Sequence, residues 1–165
     1  MFLARKITRA KWATTENLSA GEIPADAVTV DLRTQQNTLS FWQCPTDAAS
    51  DVAEAALAIA AASERLDRLD IVWLADQELR SDGQTLTDTK GRTPVTDMVA
   101  MHVDVSRLDY VRLGRVARRV VAAIEADRYC RLTKAHVKSL IKEAVGQGRI
   151  DHSALHDRLR AEVAN

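Results

Sequence analysis

The sequence predicts an α+β fold: a single mixed, mostly antiparallel sheet of about five strands covered on one face by two main helices, with a C-terminal helical hairpin. Three observations predict it. Apolar residues recur at every second position around 28–41 and again over 97–105, the repeat of half-buried strands. Over 47–69 and 106–127 they recur every 3.6 residues, the repeat of amphipathic helices. With 165 residues, 46% hydrophobic and 28% charged, the chain can bury one core without disulfide or metal staples.

In chain order, Val28, Val30 and Leu32 alternate with Thr29, Asp31 and Arg33. A polar turn follows at Gln35, Gln36 and Asn37, and the pattern resumes at Leu39 and Phe41. This predicts a hairpin, ended by Pro45, which has no amide proton to give a ladder. From Asp47 the spacing of Val52, Ala55, Ala56, Ile59, Ala62, Leu66 and Leu69 predicts a helix. The run 71–74 is apolar on both faces, as a buried central strand is. Residues 76–96 read as a polar, acidic loop broken at Gly83, Gly91 and Pro94, and a loop of about twenty residues usually has a functional reason. Val99, Met101, Val103 and Val105 alternate with Met98, Ala100, His102 and Asp104, predicting a further strand. Ser106 and Asp109 form a capping pattern for a helix to about Asp127, and Thr133 and Asp151 can cap the two helices of the hairpin. The predicted division is a core domain over 1–130 with the hairpin, 131–165, packed on it.

Formal net charge is zero, but the charge is segregated. Residues 1–12 carry four basic residues and no acid; 13–106 carry six basic and sixteen acidic residues, a net of −10; 107–149 carry eleven basic and four acidic, a net of +7. Such asymmetry bears on partners rather than on fold. The N-terminus lacks the apolar core of a secretory signal, and the longest charge-free apolar run, 55–62, is far shorter than the roughly 20 residues that cross a bilayer. Cys44 and Cys130 are too few and too far apart for a disulfide framework or a zinc knuckle. A cytoplasmic protein with reduced thiols and no membrane contact is expected. Arginine outnumbers lysine 17 to 6, which hints at a bacterial source.

Several constellations carry chemistry. Helical steps of 100° place Arg112, Arg115 and Arg119 opposite the apolar stripe of their helix with Arg118 at its flank, and Lys134, Lys138 and Lys142 form an i, i+4, i+8 line on the next. Together these are the candidate partner- or nucleic-acid-binding residues. Aromatic residues, which stack unpaired bases, are only 4% of the chain, and long basic stems also serve to cover a core edge. Asp76, Glu78, Asp82 and Asp88 supply oxygen ligands that suit a hard cation, though not at calcium-loop spacing. His102 and Asp104 project from one strand face and, with Cys44, have the makings of a nucleophile, base and orienter, but nothing in the sequence draws Cys44 to them. The segment Lys90-Gly91-Arg92-Thr93-Pro94 has the composition of a turn that can also grip an anion. His152 and His156 stand i, i+4, without a recognisable third ligand. Trp12, Trp42 and Trp73 read as packing residues.

No glycine-rich phosphate loop, nucleophile elbow or zinc-type cysteine pairing is present, and no cofactor is called for. The expectation is therefore a non-enzymatic interaction protein, an accessory subunit or inhibitor that docks a larger protein through its charged surfaces. The alternatives are a nucleic-acid-binding protein using the basic helices over 107–145, and a metal-dependent hydrolase or nuclease using the 76–88 loop with His102 and Asp104. Self-association is compatible with each.

Overall fold

The computed structural model describes residues 1–13, 18–19 and 21–164. Six strands, β1 (Phe2–Ile7), β2 (Leu39–Cys44), β3 (Leu69–Ala75), β4 (Thr85–Thr89), β5 (His102–Ser106) and β6 (Tyr129–Leu132), form one sheet in the order β4-β5-β2-β1-β3-β6. Every neighbouring pair is antiparallel, so the α+β expectation holds with one strand more than anticipated. Six α-helices accompany it among the described residues: α1 (Ala25–Asp31), α2 (Ala49–Ala61), α3 (Asp76–Ser81), α4 (Tyr110–Glu125), α5 (Lys134–Gly146) and α6 (Asp157–Ala164). No described helix is long and apolar enough to cross a membrane.

The alternation of side chains along each strand divides the core in two. On one face Ala4, Trp42, Cys44, Ile71 and Trp73 pack under α2, α5 and α6, where the alanines of α2 let that helix lie close to the sheet. On the other, Leu3, Ile7, Phe41, Val72, Leu74, Val103 and Val105 pack under Val116, Ala117, Val120 and Ala123 of α4, with Ala27 of α1 alongside. The two main helices thus cover opposite faces, not the same face as the two apolar stripes suggested. The C-terminal helices share the α2 core through Val137, Ile141, Leu159 and Val163.

Five local readings change. Residues 25–31 are helical rather than the first arm of a hairpin. Pro24 starts the turn and the helix buries Ala27 and Asp31, four residues apart, so the Val28 and Val30 alternation is a coincidence that leaves Val30 50% exposed. The missing arm is β1, whose basic residues disguise a central strand: the Arg5 guanidinium lies over the Phe41 ring and donates to the Asp31 and Ser40 carbonyls. The expected acidic loop holds α3 and β4, an edge strand built on threonines that favour extended backbone without being apolar. Residues 96–101 form a 3₁₀ turn before β5, and the cap of α4 is Asp109, whose side chain accepts from the Arg112 amide, with Ser106 still in β5. Thr133 caps α5 as expected; Asp151 caps a 3₁₀ turn, and α6 begins later, at Asp157.

Candidate functional site

The sheet face under α2 is not fully roofed. Antiparallel register sets Thr89, His102 and Trp42 in one cross-strand row and Thr87, Asp104 and Ser40 in the next, all pointing to that face. The end of α2 with Ile59 and Ala62, the turn carrying Gln35 and Gln36, and the Lys90–Arg92 segment rise around these rows and enclose a cleft of about 600 Å³. The turn is a tight one, with Gln36 and Asn37 at φ 52° and 59° and a bridge between Gln35 and Thr38.

The floor is one hydrogen-bonded unit. The Ser40 hydroxyl donates to Asp104 Oδ1 at 2.8 Å, and Thr89 Oγ1 lies 3.2 Å from Asp104 Oδ2 and 2.7 Å from His102 Nδ1. A carboxylate only accepts and the Thr89 hydroxyl has one proton, so both Thr89 contacts are satisfied only when Thr89 donates to Asp104 and His102 donates through Nδ1–H. That tautomer leaves the lone pair on Nε2, which has no hydrogen-bond partner among the described residues. Burial lowers the His102 pKa below its ordinary value, and the neighbouring Asp104 charge offsets this only in part. The imidazole is therefore neutral at pH 7, held edge-on to the Trp42 ring at 5.0 Å, with an oriented proton acceptor at Nε2.

The rim is built by a glycine. A Cβ at Gly91 would run into the Trp42 ring, 2.7 Å from Cζ3 and closer still to Cη2, and would sit 3.0 Å from His102 Cβ. Only glycine lets this backbone press flat on the two rings. The Gly91 amide donates to the Val99 carbonyl at 2.9 Å and the Thr93 hydroxyl to the Ala58 carbonyl at 2.9 Å, fixing the segment to its neighbours. Lys90 and Arg92, on either side, are exposed and form no ion pair with any described residue. The cleft thus offers two free cations at its mouth and a neutral base, a carboxylate and hydroxyls on its floor.

Cys44 does not join this set. It is fully buried in β2, and burial pushes its thiol up to about 12, which makes it an inert core residue.

The basic residues are split. Arg119 donates to both Asp82 carboxylate oxygens at 2.6 and 2.7 Å, Arg115 to the Asp82 carbonyl at 2.7 Å, and Arg112 to the Arg107 carbonyl at 3.0 Å. Glu78 pairs with Arg128 at 3.2 Å and lies 3.7 Å from Arg119. Arg119, and Arg115 through a backbone carbonyl, therefore answer the chain's own acidic segment; Arg115 and Arg118 are exposed, and of the row Arg118 alone makes no side-chain hydrogen bond or ion pair with a described residue. Lys134 lies 3.5 Å from Glu162, while Lys138 and Lys142 pair with no described residue. Because α4 and α5 cover opposite sheet faces, the arginines and lysines do not make one patch.

The acids of 76–88 are engaged in the same way. Asp76 is near the N-terminal ammonium and Arg80, and Asp88 accepts from Gln43 on the sheet face opposite His102 and Asp104. No group of three His, Cys, Asp or Glu residues among those described is placed to hold a metal ion. His152 and His156 fall in a 3₁₀ turn and just ahead of α6 rather than on one helix.

Sequence reading singled out His102, Asp104 and the Lys90–Arg92 segment separately; the β4–β5 pairing joins them. Gln35 and Gln36 were read only as the turn of a hairpin, not as a wall of the cleft, and Ser40 and Thr89 were not singled out. The only sequence signal for these was the polar side of two alternating strands. No family profile matches the chain, and no curated protein or solved structure matches it either.

Proposed function

We propose that this protein binds a small polar ligand bearing an anionic group, such as a phosphate ester, in the cleft between α2 and the Lys90–Arg92 segment. The observation that supports this most is the juxtaposition of two unpaired cations with an oriented, neutral His102 on an open stretch of sheet. A ligand anion at the mouth meets Lys90 and Arg92, and its hydroxyl or amine groups meet Asp104, Ser40 and the His102 lone pair. Titration with uridine 5′-monophosphate, read by thermal stability and calorimetry, tests it. Tenfold saturation stabilises the fold by about 1.4 kcal/mol. Arg92→Glu is expected to abolish the effect, and no stabilisation of the unchanged protein at millimolar nucleotide would defeat the reading.

A second reading, a cytoplasmic accessory subunit or inhibitor docking a protein partner, has one observation in its favour. At the start of α4, Tyr110 is 94% and Val111 65% exposed, an adjoining apolar pair flanked by the open Arg107 and by Arg112. If this pair is a contact surface, Tyr110→Ser removes a captured partner in pull-down from the native host without lowering Tm.

A further inference from the structure

The cleft does not end at Ser40 and Trp42. A second cavity of about 460 Å³ shares Ser40, Trp42 and Ile59 with it and extends to Lys6 and Thr8. A third, of about 660 Å³, shares Lys6 and Thr8 with the second and runs on to Arg68, Arg131 and Lys134. Three adjoining recesses therefore cross the sheet from β4 to the start of α5. Each carries cations: Lys90 and Arg92 in the first, Lys6 in the second, Arg68, Arg131 and Lys134 in the third.

Four acids line this route, Asp31, Asp67, Asp70 and Asp104; Asp67 lies 3.7 Å from Arg65, and the two most buried, Asp31 and Asp70, are met inside the protein. Asp31 accepts from the Thr8 amide at 2.7 Å, the Thr8 hydroxyl at 2.9 Å and Trp12 Nε1 at 2.7 Å. Asp70 accepts from Arg131 Nε at 2.7 Å, the Tyr129 hydroxyl at 2.6 Å and the Arg9 amide at 3.2 Å. Both are only 7% exposed, so their charge is met inside the protein. Lys6, Arg68, Lys90 and Arg92 are exposed and pair with no described residue, so a neutral chain presents a line of free cations.

Resting on the anion-binding reading of the cleft, we propose that the three recesses form a track for single-stranded nucleic acid. One phosphate ester occupies one recess; cations at three successive recesses match a chain that repeats its phosphates. The hydroxyl- and amide-rich floor at Gln35, Thr38, Ser40 and Thr89 suits the edges of unpaired bases, which a duplex hides. An acidic peptide fits less well, because the track crosses the strands and offers it no free sheet edge to pair with. The track is distinct from the arginine row of α4.

Fluorescence anisotropy of a labelled twelve-nucleotide oligouridine at 50 mM salt, beside calorimetry of uridine 5′-monophosphate, tests the proposal on the intact chain. The oligonucleotide is expected to bind at least about 30-fold tighter than the mononucleotide, with a log–log salt slope near −3 for about four neutralised phosphates. Lys6→Glu and Arg68→Glu, both at exposed positions, are each expected to weaken the oligonucleotide about tenfold and leave the mononucleotide unchanged, while Arg118→Glu changes neither. The track is overturned if the oligonucleotide binds no tighter than the mononucleotide, if Lys6→Glu has no effect, or if a duplex or a twelve-residue polyglutamate competes equally well. Oligonucleotide binding that depends on Lys6 without any mononucleotide binding would remove the cleft reading and keep the track; the reverse would keep the cleft and remove the track.

Discussion

Gly91→Ala is the substitution that couples the cleft to stability. The new methyl carbon would overlap the Trp42 ring, 2.7 Å from Cζ3 where ordinary carbon contacts begin near 3.4 Å, and would touch His102 Cβ at 3.0 Å. Trp42 cannot yield easily, being 8% exposed in the core under α2. Relief must come from a shift of the 90–92 backbone, which loosens the Gly91–Val99 hydrogen bond, or from rotation of Trp42 into its neighbours. Overpacking of this kind costs about 1–3 kcal/mol, and the reduced freedom of the unfolded chain returns about 0.4–1 kcal/mol. At the middle of both ranges the net loss is about 1.3 kcal/mol, which lowers Tm by about 3–5 °C for a chain of this length. Differential scanning calorimetry reads it, and the same variant should bind uridine 5′-monophosphate more weakly because Lys90 and Arg92 have moved. A Tm equal to or above that of the unchanged protein would refute the close approach of this backbone to the ring.

Three further outcomes follow from the buried polar groups. His102 has a folded pKa below its ordinary 6.5, so the unfolded chain binds the proton first; stability falls as pH drops through 6.5 and levels off once the folded imidazole also protonates, and urea melts of His102→Asn should lack that slope. Asp70, pulled below its ordinary 3.8 by hydrogen bonds from Arg131, Tyr129 and the Arg9 amide, contributes stability that is present above about pH 3.8 and lost as pH falls through its folded value; Asp70→Asn should cost about 2–3 kcal/mol at pH 7 and flatten that acid limb in the same melts. Cys44 should resist a thiol-reactive disulfide reagent at pH 8 until denaturant is added, since it is fully buried and its thiol is pushed up to about 12.

Much of the architecture was legible from periodicity. The stripe through Val52, Ala55, Ala56 and Ile59 identified α2, the apolar run 71–74 identified β3, and Val103 with Val105 identified β5. What periodicity could not show was where polar residues replace apolar ones for a local reason. Arg5 and Lys6 disguised β1 because one cation is satisfied over Phe41 by backbone carbonyls and the other reaches solvent. Val28 and Val30 imitated a strand because the helix 25–31 is oriented by Asp31, which is drawn inward by Thr8 and Trp12, residues distant from it in sequence. The same limit applies to the cleft. His102 and Asp104 were visible on one strand, but their partner Thr89 lies across the β4–β5 pair and Ser40 on the neighbouring β2, contacts that depend on register alone. Charge segregation was visible as well, yet its largest consequence is internal: Glu78 and Asp82 meet Arg115, Arg119 and Arg128.

The most direct test of the cleft is an amide chemical-shift titration of the ¹⁵N-labelled protein with inorganic phosphate. Binding there predicts saturable shifts at Thr38–Ser40, Thr89–Arg92 and His102–Asp104 that are lost in Arg92→Glu, with the amides of α4 unmoved. Shifts centred on Arg112–Arg119 or Lys134–Lys142 instead, or none at all, would contradict it.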